Sequence, residues 1–414
     1  MFYLISSIIV IFIVHKKFSL FDVLNPFVIF VLYYIFFFFI ALSWKENFFI
    51  HKGVKIDDYT VNVITASLIV ILISAYIFSF VFKFEKSISP NYLRKIDLRK
   101  LNFGTPTKRS EQAAWVIFFL GIVLFLIFIL KVGQVPLLAD DAENFRIEAR
   151  KGNGFITILS MALITYGSSY IFASMNIATS KRILILVVAF FILMMFGNRG
   201  PAFLLLIFAF IINIVRSKTK VKIFKVVLLG LLGYLLLVGI GAYRMNADAD
   251  FLTKFILTIG WRPFVNIQNF DIILNRFDDF LYGYGYWIDI YTLAPGYSPN
   301  LGTWVKETMG FSFDGGSVTI SLLGEGYINF GTFGLILYPF LTSWILLRLS
   351  IYIKRVLLKN DFSVDIGKFI LIITINVAIA GIVSSGYTSV ILYIIIPNFL
   401  IYKLHQFLSG SKNI

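Results

Sequence analysis

Apolar residues fill long runs along this chain, separated mostly by short polar links. A run of about twenty apolar residues is the length a helix needs to cross a bilayer. Eleven such spans are predicted, roughly at 2–14, 23–44, 61–82, 112–130, 155–179, 183–197, 201–215, 224–243, 327–347, 369–384 and 387–402. The expected fold class is an all-α integral membrane protein with about 11 transmembrane helices. Two polar stretches are long: 131–154, and 244–325, the only one large enough for a small domain. They divide the chain into an N-terminal bundle (1–243) carrying the outer segment 131–154, one large extracytoplasmic loop (244–325) and C-terminal helices (326–414). The first run lacks a basic leading region and a small-residue cleavage site, so no cleavable signal peptide is expected.

Two runs are too long for one crossing. Ile183 to Val215 spans 33 residues, about 50 Å as helix against a hydrocarbon core of about 30 Å. It is interrupted at Phe196-Gly-Asn-Arg-Gly-Pro201, where the chain must fold back. Each arm then has 15 residues, about 22 Å, so Arg199 is expected in a recess rather than among the far headgroups. Gly197 and Gly200 permit the turn, and Pro201 suits the start of the next helix. Free N–H groups of that first turn and the Arg199 guanidinium would converge on an anion such as phosphate. The competing reading is an arginine that snorkels to the interface and fixes topology. The last run is likewise expected to break, at Ser384-Ser-Gly386.

Charge orients the bundle. Placing 83–111 inside gives the inner loops 24 Lys/Arg and 6 acidic residues, against 13 and 16 outside, as the positive-inside rule requires. The net charge of +15 therefore lies in short loops beside membrane spans and does not indicate nucleic acid. A mean hydropathy of +0.87, with 14% charged residues, excludes a soluble domain of this length. The absence of cysteine excludes disulfides, thiol nucleophiles and Cys-ligated metals. Span interiors hold almost no ionisable groups and no internal repeat is visible, which counts against an ion-coupled transporter.

The outer segments hold the remaining candidates. Arg244 lies where the eighth span emerges. Arg262 precedes Pro263, which biases it to an extended backbone, beside Trp261 as a stacking face. Both also suit interface anchors. Tyr284, Tyr286 and Trp287 alternate with glycines, a pattern for a sugar platform or for an interfacial aromatic belt. Glu325 stands at the entrance of the ninth span, either as a general base half in the membrane or as a helix N-cap. In 131–154, Asp140 and Glu143 have capping-box spacing and open a helix through Ala149. Arg146 and Arg150 share one face of it, as on a helix lying on the bilayer surface.

Val135-Pro-Leu-Leu138 followed by Arg146, Phe196-Gly-Asn-Arg-Gly200 and Leu323-Gly-Glu-Gly-Tyr-Ile-Asn-Phe-Gly331 occur in this order, all on the expected outer face. With these motifs the chain resembles the bacterial oligosaccharide repeat-unit polymerases, the Wzy-type O-antigen and capsule polymerases. The resemblance implies a GT-C-like membrane glycosyltransferase in the bacterial inner membrane, active on its periplasmic face. Such an enzyme moves a growing glycan from polyprenyl (undecaprenyl) diphosphate to an incoming lipid-linked repeat unit. It implies Arg199, Arg244 and Arg262 at the diphosphates, Glu325 as the first candidate base with Asp140 and Asp141 behind it, and Arg146, Tyr284, Tyr286 and Trp287 at the substrate. No cofactor or metal is expected, and a chain-length co-polymerase is the implied protein partner. An O-antigen ligase is the nearest alternative, although 244–325 has no histidine. A lipid-linked oligosaccharide flippase is the alternative of another class.

Overall fold

The computed structural model describes residues 24–40, 56–84, 97–197, 199–218, 251–293, 299–310, 317–359 and 363–410, with isolated positions elsewhere. Arg244 and most of the predicted spans 2–14 and 224–243 lie outside the described residues. The described chain is helical apart from one short parallel pairing of Asn102–Phe103 with Ser363–Val364. Its main helices are α1 (Pro26–Tyr34), α2 (Asp58–Phe84), α3 (Lys108–Val132), α4 (Ala142–Arg150), α5 (Gly154–Ala173), α6 (Thr179–Met195) and α7 (Arg199–Ser217). These are followed by α8 (Phe251–Arg276), α9 (Tyr284–Tyr291), α10 (Leu301–Thr308), α11 (Leu322–Lys359), α12 (Ile366–Val390) and α13 (Ile396–Ser409). Among the described residues, six segments are long and apolar enough to cross a membrane: α2, α3, α5, α7, α11 and the continuous α12–α13 run. This is a multi-pass membrane protein.

Two of those segments reverse direction. In α11, Gly331 has φ 60° and ψ −145°, and Gly326 packs against Gly334. An unbroken helix would separate that pair by about 12 Å. Residues 322–330 are therefore a short leg folded back on the start of the long span. In α12, Gly386 has φ 74° and ψ 175°. Gly381 then faces Val390, and Gly367 faces Tyr402, so 366–385 and 387–409 form a hairpin. The break expected at 384–386 is present.

Two large cores divide the bundle. One gathers α3, α5, α6 and α7 with part of α12 and α13; the other gathers α1, α2, α8, part of α11 and the C-terminal half of α12. With lipid outside, packing and interhelical hydrogen bonds hold such helices together more than water exclusion does. The closest pair is α3 with α5, where Gly121 meets Ile164, Gly167 meets Phe118, and Ser160 Oγ donates to the Gly121 carbonyl at 2.7 Å. A third, small core joins 244–325 to the short leg of α11, built from Ile273, Phe277, Ile288, Leu301, Val305, Val318, Ile320 and Ile328.

One expectation about that segment is overturned. Arg262 is helical, because α8 runs through Pro263. Phe264, Ile267, Phe270 and Ile273 fall on one buried stripe, and packing that stripe outweighs the local cost of proline.

Candidate functional site

The end of the bundle that carries 131–154 and 244–325 is here termed the acidic end, and the end that carries 83–111 the basic end. The α6–α7 corner opens toward the acidic end. Its first residue, Phe196, is 1% exposed and packs edge-on against Phe125 and tilted against Phe128 of α3, with ring centroids 4.9 and 5.4 Å away. α3 continues to Val132, so the corner stops about 6–10 Å short of the end of its neighbour. The cause lies in length: α6 has 17 residues and α3 has 25, and Ser174 just before α6 bonds Glu111 in the first turn of α3 at the basic end. A recess results.

Helix α4 roofs it. Asp141 caps that helix, accepting from Asn144 N at 3.1 Å and from Asn144 Nδ2 at 2.7 Å. The cap is thus one residue later than the expected Asp140. A surface helix lying on the bilayer is also overturned, because Ala149 and Phe145 pack into the first core and the arginine face turns inward. The Arg146 side chain crosses Gly197, where an added Cβ would meet Arg146 Cδ at 3.0 Å. Gly197 also has φ 71°, a conformation that disfavours any residue with a Cβ. One turn further on, Arg150 Nε and Nη2 are enclosed and have no hydrogen-bond partner among the described residues. Burial, with the Arg146 guanidinium beside it, pulls Arg150 down to about 9, and burial lowers Arg146 too. Arg199 opens α7 immediately below; its side chain, like that of Arg262, lies outside the described residues. Pro201 is the third residue of α7 rather than its first. There it still removes an N–H that the helix would not have used. Recess, helix N-terminus and convergent guanidinium groups together suit a dense anion.

A second group forms at the corner of the last hairpin. Glu325, 1% exposed, accepts from Tyr387 N, from Thr388 Oγ1 and, at 3.2 Å, from Thr388 N. It therefore caps the returning leg at Gly386, not the helix on which it sits. A Cβ at Gly386 would strike that carboxylate. Asp289, also buried, bonds the Ser389 side chain and accepts from Leu301 N at 2.8 Å; burial raises its carboxyl. Tyr286 bonds Tyr338, and Tyr387 bonds Thr342. Burial pushes the Tyr286 hydroxyl well above its ordinary value, helped by the charge of Glu325. Tyr284 and Trp287 face outward, 53% and 55% exposed.

Of the predicted residues, Arg146 joins the Arg199 corner and Tyr286 joins Glu325; Tyr284 and Trp287 stand apart, facing outward, and Arg244 and the Arg262 side chain lie outside the described residues. Two residues gain weight that sequence reasoning did not give them. Arg150 was visible only as the i+4 neighbour of Arg146, and Asp289 carried no signal within its aromatic segment.

No curated protein and no solved structure matches the chain. A family model described as "Putative O-antigen polymerase" matches residues 22–395 of the 414, and the chain belongs to that family.

Proposed function

We propose that this protein polymerises lipid-linked oligosaccharide repeat units, moving the growing glycan from undecaprenyl diphosphate to the end of an incoming lipid-linked unit. In this reading it crosses the bacterial inner membrane eleven times in a GT-C-like arrangement and works on the periplasmic face. The observation that carries the reading is the roofed corner: Arg146 crosses Gly197, and one turn on Arg150 has enclosed guanidinium nitrogens without an acceptor among the described residues. A lone buried cation is costly. A diphosphate held at headgroup depth by its polyprenyl tail offsets that cost and satisfies the donors.

The chemistry follows from the leaving group. As the glycosyl–oxygen bond breaks, negative charge grows on the diphosphate. Arg146, Arg150 and Arg199 stabilise it from fixed positions without a metal. Arg244 and Arg262 serve the second lipid diphosphate in this reading. Tyr284 and Trp287 offer ring faces to sugars. Glu325 positions the hairpin corner, because its carboxylate is fully engaged there. The acceptor proton then goes to the exposed Asp140 beside the roof. A chain-length co-polymerase is the partner this role calls for.

The test uses reconstituted protein with the polyprenyl-diphosphate repeat unit, its products resolved on a gel. Wild type yields a ladder that survives chelation of divalent metals. Arg150→Gln and Arg146→Gln lose it by at least about 100-fold, the scale of removing one preorganised charge stabiliser. An undiminished ladder in both variants rejects the anion site. No ladder from wild type, with transfer appearing only when lipid A core is added, makes the protein a ligase instead.

A further inference from the structure

At the basic end, remote from the roofed corner, α6 and α7 diverge around a cleft of about 370 Å³. Two arginines flank it. Arg182, 7% exposed, donates through Nη1 to the Ser174 carbonyl at 3.1 Å and through Nη2 to Thr179 Oγ1 at 2.6 Å. Arg216 donates to the Phe172 carbonyl at 2.9 Å and to Met175 Sδ at 3.4 Å. Each therefore caps the end of α5 with part of its guanidinium and keeps donors in reserve. Among the described residues no carboxylate pairs with either, and the enclosed Arg182 Nε has no hydrogen-bond partner.

Asn213 supplies a second, independent observation. It sits on α7 one turn before Ser217, in a helix that is otherwise apolar at this depth. It is exposed toward the cleft and makes no hydrogen bond among the described residues. An amide facing hydrocarbon without a partner is unfavourable. Polar side chains at that depth usually face protein or a polar ligand. Ala178 precedes α6 without a side-chain cap, so first-turn N–H groups open at the same place. Phe172 and Ile183 complete the wall and suit the glycerol and upper acyl chain of a lipid.

We propose that this cleft binds the phosphate of an anionic membrane phospholipid, held by Arg182, Arg216 and Asn213 at the basic face. Basic pockets between helices on such a face are a general means of headgroup recognition. The phosphate fits between the guanidinium groups, and the Asn213 amide donates to a phosphodiester or ester oxygen.

The test places the full chain in phosphatidylcholine nanodiscs doped with phosphatidylglycerol and measures retained lipid by native mass spectrometry. Wild type retains phosphatidylglycerol and not phosphatidylcholine. Arg216→Gln and Asn213→Leu each weaken retention by about tenfold, the effect of one charged or buried polar contact. Asn213→Leu breaks no hydrogen bond among the described residues, so its result stands even where Arg182→Gln fails to fold. Arg150→Gln leaves retention unchanged, which separates this cleft from the roofed corner. Equal retention in the Arg216 and Asn213 variants overturns the proposal. Displacement of the lipid by millimolar inorganic phosphate also overturns it, because the site would then serve a soluble phosphate.

Discussion

If the roofed corner binds a diphosphate as proposed, Arg150 is a residue whose binding role opposes stability. Its guanidinium is enclosed beside a second arginine, and its folded-state value falls to about 9. Because that value lies below the unfolded one, the charged form costs stability at every pH below about 9. The cost fades as pH rises and the folded state alone releases the proton. Replacing Arg150 with Met should raise the thermal midpoint of the ligand-free protein by about 1–3 °C while abolishing polymerisation. The wild type should also gain stability between pH 9 and 10, a gain absent from Arg150→Met. Melting curves across that range, with and without pyrophosphate, decide the matter. A destabilised Arg150→Met protein would mean that the residue is a structural strut. Gly197 belongs to the same site. Its positive φ and its contact with the Arg146 stem predict that Gly197→Ala costs about 1–2 kcal/mol. It should also displace Arg146, so the ladder should fall further than the amount of folded protein does. Equal losses would place the effect in folding alone.

Among the elements, the two broken helices carry the architecture of the acidic end. The short leg 322–330 exists because Gly331 reverses the chain, and it delivers Glu325 to the N–H groups exposed at Gly386. Removing the carboxylate leaves two backbone donors unpaired at about 1–3 kcal/mol each. Glu325→Ala should thus destabilise the protein by about 2–6 kcal/mol and make residues 384–388 accessible to protease. Glu325→Ala protein with wild-type melting and protease resistance would return Glu325 to direct chemistry. The sequence announced the hairpin itself, since Ser384-Ser-Gly386 interrupts an apolar run too long for one span. It did not announce which group would seal the break: local spacing offered Glu325 as a general base or as a cap on its own helix, whereas its partner lies 62 positions away. The same limit applies to α4. Arg146 and Arg150 were readable as one face, yet the direction of that face depends on α3 outreaching α6, a comparison between separate elements. Pro263 misled for the opposite reason, because a local backbone preference yielded to the buried stripe of α8.

On the scale of the whole molecule, both proposed anion sites depend on the bundle having the stated orientation. The roofed corner and the hairpin corner at Gly386 must face one compartment, and the α5–α6 link must face the other. The chain offers a clean way to check this, because it contains no cysteine, so each introduced thiol is the only one present. Gln134, just beyond α3, and Ser385, at the hairpin corner, are exposed at the acidic end, while Ser180 is exposed at the basic end. All three tolerate a small polar replacement without loss of core packing. In intact cells whose outer barrier admits the reagent, a membrane-impermeant maleimide should label Gln134→Cys and Ser385→Cys. Ser180→Cys should react only after the membrane is opened. Labelling of Gln134 without Ser385 would break the hairpin and move Glu325 away from the roofed corner. The full reverse pattern would turn both sites over together, which the excess of Lys/Arg in the loops around 83–111 makes energetically unfavourable.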